Sequence, residues 1–317
     1  MTSPVDTLAA AASAQTSVHT GICDASAAAT LDARHFIVAN DEENVLWIYD
    51  RATPALVGSV ELWNFLGIGK KEESDIEGAA AVGNRIYWIS SHGRDKRAEI
   101  APSRFQFFAS DIERNAGAIP AVKLVGRSYK NLLNDLVDEQ KFVKYDFAKA
   151  STLAPKVKDG FNIEGLAATA DGKLLIGFRN PIPHGKALVI PINNPDALID
   201  AAANPVIRAN FGNAMELDLH GRGIRSIDLV GAEYYIVAGP IDDGGSFDIY
   251  RWSGKANAPP VVVPVPELAG LHPESLVAMA NGKLQILSDD GRREIAGTAC
   301  KELPRKERSF RSVTIAP

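Results

Sequence analysis

The stretch Asn162-Ile163-Glu164-Gly165-Leu166 decides the fold, because related copies of it recur along the chain. In each copy, a mainly apolar run ends just before the residue that lies fourteen places after the third motif position. An offset that holds in every copy without a gap is typical of a repeat architecture. The other copies are Asp75-Ile76-Glu77-Gly78-Ala79, Gly223-Ile224-Arg225-Ser226-Ile227, His272-Pro273-Glu274-Ser275-Leu276 and the weaker Asp24-Ala25-Ser26-Ala27-Ala28.

Each repeat predicts antiparallel strands. The motif opens a short apolar strand, and a tight turn containing Asn, Asp or Gly returns the chain as a second strand. A third strand, rich in aromatic and β-branched residues, follows in each unit, and a fourth is predicted in most units. The copies lie 51, 87, 61 and 49 residues apart, against about 40–50 residues for a typical propeller blade. We therefore predict an all-β fold, a five-bladed β-propeller.

The 87-residue interval predicts a helical insertion at about residues 128–155, because its apolar residues recur mostly at steps of three and four. A sixth blade in this interval is the alternative. The last unit runs out of chain after three strands, so residues 16–20 are predicted to close the ring. Residues 105–108 are predicted as the third strand of the second unit, and residues 206–209 as the fourth strand of the third unit. Residues 1–17 are interpreted as a loosely ordered leader and residues 18–317 as a single domain.

Composition argues against two classes of partner. Lys and Arg number 34 against 39 Asp and Glu, and the net charge is −5. Without a long basic run, we expect no nucleic-acid partner. No apolar run approaches the ~20 residues of a membrane span, so we expect no membrane partner either. The cytoplasm is the favoured compartment, with the periplasm as the alternative.

The two cysteines, Cys23 and Cys300, are too few for a disulfide framework. We interpret them as two unpaired buried thiols. Because the first and last repeats are neighbours in a closed ring, a bridge between them is the alternative.

Alternation along the inner strands predicts a polar ring at one mouth of the propeller. Motif position two should pack between blades, as the isoleucines 76, 163 and 224 would, while positions one and three point the other way. Positions one and three then gather charged and amide side chains around the axis. These include Asp75, Glu77, Asn162, Glu164, Arg225 and Glu274.

Carboxylates gathered in this way repel one another unless a positive charge lies among them. A hard cation such as Ca²⁺, which takes about six to eight oxygen ligands, would supply that charge. Its predicted ligands are Glu77, Glu164, Glu274, Asp75 and Asn162. The alternatives are a structural ring neutralised by Arg225, and direct catalytic use of Glu77, Glu164 and Glu274.

Residues beside the mouth predict an anion-binding surface. His92 and Arg179 occupy equivalent ring positions, and with Arg225 and Asn180 they are predicted to hold a small anionic molecule. Acidic loops at residues 41–43 and 288–290 lie on the same rim. The function we predict is metal-assisted hydrolysis of a small anionic ester or lactone. A non-catalytic propeller that binds a small ligand or a protein is the alternative.

Several longer motifs carry a family resemblance. Asp75-Ile-Glu-Gly with Ile86-Tyr-Trp-Ile-Ser-Ser-His, Phe161-Asn-Ile-Glu-Gly-Leu with Gly177-Phe-Arg-Asn-Pro, and Pro273-Glu-Ser-Leu with Leu287-Ser-Asp-Asp-Gly occur in order. Together they resemble a bacterial family known as domain of unknown function 3616, over about residues 20–315. The resemblance implies a propeller and supplies no catalytic residue. A looser likeness to phytase-like esterases and gluconolactonases, whose metal lies at the channel mouth, is one of architecture only.

Overall fold

The computed structural model describes residues 16–114, 117–200, 206–242 and 244–316, and five four-stranded antiparallel sheets lie in these ranges. The five-bladed propeller is therefore confirmed. In chain order, β1 (Ser17–Thr20) precedes blade 1, which consists of β2 (Ala27–Thr30), β3 (His35–Ala39), β4 (Val45–Asp50) and β5 (Leu56–Glu61).

Blades 2, 3 and 4 are each formed by four consecutive strands of the chain. Blade 2 consists of β6 (Ile76–Val82), β7 (Arg85–Ser90), β8 (Phe107–Glu113) and β9 (Ala121–Tyr129). Blade 3 consists of β10 (Asn162–Ala168), β11 (Leu174–Asn180), β12 (Ala187–Ile192) and β13 (Met215–Leu217). Blade 4 consists of β14 (Gly223–Val230), β15 (Glu233–Gly239), β16 (Asp248–Trp252) and β17 (Val261–Val263).

Blade 5 closes the ring with strands from both ends of the described chain. Its strands from the C-terminal part are β18 (Pro273–Ala278), β19 (Leu284–Ser288) and β22 (Ser309–Ile315). Between β19 and β22 the chain forms a separate two-stranded hairpin of β20 (Glu294–Ile295) and β21 (Thr298–Ala299). The outermost strand is β1, in which Ser17 lies opposite Ser312 and Thr20 opposite Ser309. The predicted closure by residues 16–20 is confirmed. Most of the predicted leader lies outside the described residues.

The cysteines are disulfide-bonded, so their interpretation as unpaired thiols is wrong. Ring closure brings Cys23, just before blade 1, to Cys300, after β21, with a Cα–Cα distance of 5.9 Å. This separation is within the range of an ordinary disulfide. The bridge is compatible with an oxidising compartment.

Short helices connect the strands. The α-helices are α1 (Trp63–Leu66), α2 (Leu132–Asp138), α3 (Phe147–Ala150) and α4 (Pro195–Ile199). The 3₁₀ turns are Pro102–Arg104, Gln140–Tyr145, Pro183–Gly185, Pro266–Leu268, Cys300–Glu302 and Arg305–Glu307. No helix in the described ranges is both long enough and apolar enough to span a membrane.

The helical insertion between β9 and β10 is confirmed, and the alternative of a sixth blade is wrong. Leu132, Leu136, Phe142 and Phe147 from the insertion are buried in one cluster with residues of blades 2 and 3. This apolar face packs on two blades, so the insertion buries its apolar residues in the propeller core. It does so as helices and not as a further blade.

Two strand assignments need correction. The third strand of blade 2 is β8, which begins at Phe107, two residues later than predicted. The fourth strand of blade 3 is β13, and residues 206–209 are not a strand. The insertion explains the second difference, because the backbone N–H of Ala209 donates to Asp135 at 2.8 Å and the Tyr129 hydroxyl donates to the carbonyl of Ile207 at 3.4 Å.

The motif residues pack as predicted between neighbouring inner strands. Ile76, Ile163 and Ile224 at position two are fully buried. Glycine at position four allows the blades to approach closely, because a Cβ on Gly165 would lie 2.9 Å from Cγ2 of Ile224.

Candidate functional site

Four of the five inner strands contain a β-bulge at the third motif position. Strand pairing passes from Ile76 to Gly78 and from Ile163 to Gly165, and the same shift occurs in β14 and β18. The skipped residues are Glu77, Glu164, Arg225 and Glu274. A bulge bends its strand and redirects the extra side chain. All four charged side chains line one cavity at the mouth of the ring.

This mouth cavity has a volume of 740 Å³ and is lined by residues from every blade. Seven of the nine residues predicted for the site line it. They are Asp75, Glu77, Asn162, Glu164, Arg179, Arg225 and Glu274. His92 and Asn180 do not line it and are buried beside it.

Arg225 joins three consecutive blades through carboxylates. Its Nε lies 2.6 Å from Oε2 of Glu164, and its Nη2 contacts Oε1 of Glu274. Burial alone would lower the pKa of Arg225, but Glu164 and Glu274 outweigh that effect and raise the pKa above its ordinary value. The side chain of Arg225 is only 6% exposed, and its Nη1 also donates to the carbonyl of Pro240 at 3.3 Å. The guanidinium is therefore held by protein partners on several sides.

Glu164 is held by two further donors. Nη1 of Arg179 donates to its Oε1 at 2.8 Å, and Nδ2 of Asn162 donates to the same oxygen at 2.7 Å. Nη2 of Arg179 donates to the carbonyl of Asp242 at 3.0 Å. The negative charge of Glu164 is therefore fully compensated by two arginines.

Asp75 and Glu274 are also ion-paired. Nη1 of Arg104 donates to Asp75 at 3.0 Å, and the Ser91 hydroxyl donates to the same carboxylate. Burial raises the pKa of Asp75, while Arg104 and Ser91 oppose the rise. Burial raises the pKa of Glu274 to about 7, although Arg225 opposes it.

Glu77 differs from the other ring carboxylates because it has no ion pair or hydrogen bond to any residue that the structure describes. Burial, with the neighbouring charges of Glu164 and Asp75, raises its pKa well above the ordinary value. These surroundings shift Glu77 toward its protonated form, and Glu77 lines the cavity.

Acids beyond the predicted site residues also line the cavity, among them Asp24, Asp41 and Asp289. Residues 41–43 and 288–290 were predicted to lie on the same rim, but without a role in the site. Burial, with the adjacent Asp289, raises the pKa of Asp24 to about 10. Burial, with Asp75 and Asp289, raises the pKa of Asp41 well above its ordinary value. The sequence contained a signal that could have assigned two of these acids to the site. Asp41 and Asp289 occupy the ring position of Arg179, one residue beyond the fourteen-residue offset.

His92 and Asn180 are buried beside the site and do not line it. Nδ1 of His92 contacts the carbonyl of Ser90 at 2.8 Å, and Nε2 is buried without a partner among the described residues. Nδ2 of Asn180 donates to the carbonyls of Pro155 at 2.7 Å and Val157 at 3.0 Å. Pro155 and Val157 line the cavity, so Asn180 positions this part of its rim.

We expect His92 to make stability depend on pH. Burial lowers the pKa of His92 from an ordinary 6.5 to about 4. The stabilisation is therefore present above about pH 6.5 and is lost as pH falls toward 4, by up to about 3 kcal/mol. His92→Asn should reduce this loss in urea titrations at pH 7 and pH 4.5, while the exposed His184→Asn should not. Both histidines have a positive φ, of 54° and 53°, which Asn tolerates. An equal loss in His92→Asn and the wild type would contradict the prediction.

The predicted calcium ligands are not gathered around one point. Glu164, Glu274 and Asp75 are each ion-paired with arginine. Within the described ranges, no group of three His, Cys, Asp or Glu residues is arranged to hold a metal ion. Calcium binding stays a prediction, and its ligand set would require the four ion pairs of these three carboxylates to rearrange.

A sequence profile of the family described as "Protein of unknown function (DUF3616)" matches residues 108–283. No curated protein matches the chain. Among solved structures, the chain is similar to a glutaminyl cyclase from Myxococcus xanthus, with 12% identity, a TM-score of 0.48, and coverage of 96% of this chain and 95% of that one. It is also similar to a putative oxidoreductase (glucose dehydrogenase) from Thermus thermophilus, with 13% identity, a TM-score of 0.46, and coverage of 95% and 100%. These two similarities carry no conclusion about activity.

Proposed function

The chain belongs to the family of proteins of unknown function (DUF3616), and we propose that its propeller mouth hydrolyses a small ester or lactone by acid–base catalysis. The observation that carries the proposal is that Glu77, which has no ion pair or hydrogen bond among the described residues, lines one cavity with the ion-paired carboxylates of Glu164 and Glu274. Burial, with the charges of Glu164 and Asp75, raises the pKa of Glu77 well above its ordinary value. Neighbouring carboxyl groups whose environments differ in this way are typical of acid and base pairs in enzymes. The cavity of 740 Å³ also falls within the range of about 300–1,000 Å³ found for small-molecule sites.

In this mechanism Glu274 is the general base. Its pKa of about 7 suits proton abstraction near neutral pH. Its Oε1 contacts Arg225, and the side chain is 15% exposed toward the cavity. Glu274 accepts a proton from a water molecule as the water oxygen bonds to the acyl carbon of the substrate.

Glu77 is the general acid. It donates its proton to the departing oxygen as the acyl carbon–oxygen bond breaks. Electrostatic repulsion from Glu274 contributes to the raised pKa of Glu77, so the two carboxyl groups are close enough to influence each other. Transfer of a proton from Glu274 to Glu77 through water then restores the starting state.

Glu164, Arg179 and Arg225 position these groups. The contacts of Arg225 to both Glu164 and Glu274 hold the base in place. The predicted anion contact gains no support, because both arginines are bound to carboxylates and burial lowers the pKa of His92, which keeps it neutral near pH 7. We therefore do not require an anionic group in the substrate.

Glu77→Gln should lower kcat/KM for ester or lactone hydrolysis about 10²- to 10⁴-fold, because the variant cannot donate a proton. The melting temperature should hold, since Glu77 has no ion pair or hydrogen bond to lose among the described residues. The measurement is turnover across a panel of p-nitrophenyl esters and lactones, with circular dichroism as a check on folding.

The matched control is Glu73→Gln. Glu73 lines the same cavity, but its carboxylate is 51% exposed and bound to Arg104. This variant should keep turnover within a few-fold of the wild type. If Glu77→Gln hydrolyses every responsive substrate at the wild-type rate, the assignment of Glu77 as the acid is wrong.

A non-catalytic binding propeller is the second candidate. One observation favours it: the Glu164–Arg225–Glu274 contacts join blades 3, 4 and 5, which is what a purely structural polar ring would do. A ligand that binds the mouth and is not turned over in the same panel would select this candidate.

A further inference from the structure

We propose that three acids of the mouth cavity, Asp24, Asp41 and Asp289, form a subsite for a protonated primary amine. We call these three residues the acidic sector. Amine binding at this subsite does not depend on the hydrolysis. If the mouth also hydrolyses esters, its substrate is an amino ester or amino lactone, which rests on the proposed function.

The charge of the mouth cavity is unevenly compensated. On the side of blades 2 to 4, Asp75 is paired with Arg104, and Glu164 with Arg179 and Arg225. In the part of the chain that the structure describes, no ion pair joins any residue of the acidic sector to a basic side chain. The strongest influences on the pKa values of Asp24 and Asp41, besides burial, come from other acids. Arg293 and Lys301 line the cavity on the side of blades 1 and 5, but they pair with Asp290 and Glu42. Among the described residues, the acidic sector therefore has no ion pair of its own.

Unpartnered acceptor atoms in the same cavity point to a ligand that donates hydrogen bonds. Among the described residues, Oδ1 of Asp24 has no hydrogen-bond partner, and the residue is 6% exposed. Independently of the acids, Oδ1 of Asn162 on blade 3 has no partner in the same ranges, and that residue is 4% exposed. Buried acceptors without partners are rare in folded proteins, and each calls for an explanation. An ammonium group has three donors and no acceptor, which matches this set.

Gly291 packs closely against Asp24 in the cavity wall. A Cβ at this position would lie 2.2 Å from Oδ1 of Asp24, and Gly291 lines the cavity. A larger residue at position 291 would therefore displace Asp24 from its place in the acidic sector.

The surroundings favour an organic cation over a bare metal ion. The acids are not arranged as a group of three that could hold a metal, within the ranges described. Phe247 and Val157 contribute apolar surface to the same cavity. An amine with a short carbon chain would place its charge at the acidic sector and its carbon atoms against these side chains. Its positive charge would also allow the sector's carboxyl groups to ionise.

The test compares leucinol with 4-methylpentan-1-ol, which has the same carbon skeleton and lacks the amine. Binding to the wild-type protein is measured by ligand-observed NMR at constant ionic strength and about pH 6.5. We expect leucinol to bind at least about tenfold more tightly. The preference should disappear in Asp24→Asn/Asp41→Asn, which removes acids that repel each other and should still fold. It should persist in Glu113→Gln, which removes one exposed charge outside the mouth.

Three outcomes would overturn the proposal: equal binding of the two alcohols by the wild type, an unchanged preference in Asp24→Asn/Asp41→Asn, or calcium binding at this place. Calcium binding at this place would raise the melting temperature of the wild type when calcium chloride is added, and EDTA would reverse the rise. The variant Asp24→Asn/Asp41→Asn would show no such rise. Neither alcohol can be hydrolysed, so this result is independent of catalysis. Turnover of leucine methyl ester against methyl 4-methylpentanoate then tests the proposed function separately.

Discussion

Replacing Arg225 with methionine should lower the free energy of unfolding by about 3–5 kcal/mol. The guanidinium lies between Glu164 and Glu274, and its side chain is 6% exposed. Methionine keeps much of the side-chain volume and removes the positive charge. Glu274 then loses the only basic partner that the described residues provide, and Glu164 keeps only Arg179. Leaving buried carboxylates with too little positive charge accounts for most of the expected loss.

The control for this variant is Arg251→Met in the same blade. Arg251 lies on β16, is 47% exposed and pairs with Glu233 at 3.4 Å. An exposed pair of this kind contributes about 0–1 kcal/mol. Urea denaturation with unchanged m-values measures both variants. A loss below about 1 kcal/mol in Arg225→Met would show that water screens the charges at the mouth, contrary to a buried network of ion pairs.

Removing the disulfide should be the second large effect, with a loss of about 2–5 kcal/mol in the Cys23→Ala/Cys300→Ala variant. The bridge spans 277 residues of sequence, so it restricts the unfolded chain over nearly the whole propeller. It also lies where the ring closes, beside the pairing of β1 with β22. Loss of the bridge leaves this short strand pairing to hold the two ends together.

The same variant provides its own control. Dithiothreitol should lower the melting temperature of the wild type and leave that of the double alanine variant unchanged, because only the wild type has a bond to reduce. Equal melting temperatures for oxidised and reduced wild type would contradict the prediction. They would indicate that β1–β22 pairing alone maintains closure.

Local patterns in the sequence determined the blades and the positions that face the axis. A strand alternates its side chains, so the motif predicted that Ile163 packs between blades and that Glu164 points the other way. The β-bulge that places Glu164 at the mouth was not part of that prediction. The regular offset between the motif and the apolar run likewise specifies an antiparallel pair. The insertion was predictable for the same reason, since its apolar spacing is a property of adjacent residues.

Only the tertiary structure decided which charges meet. Glu77 and Glu164 have the same motif position, yet Glu164 contacts two arginines and Glu77 contacts none that the structure describes. That difference depends on side chains from other blades, which local sequence does not specify. The pairing of Cys23 with Cys300 and the place of Asp41 and Asp289 at the mouth have the same origin. Alternation and turn chemistry act over a few residues, whereas ring closure sets the distances between residues far apart in the chain, and those distances determine the chemistry of the mouth.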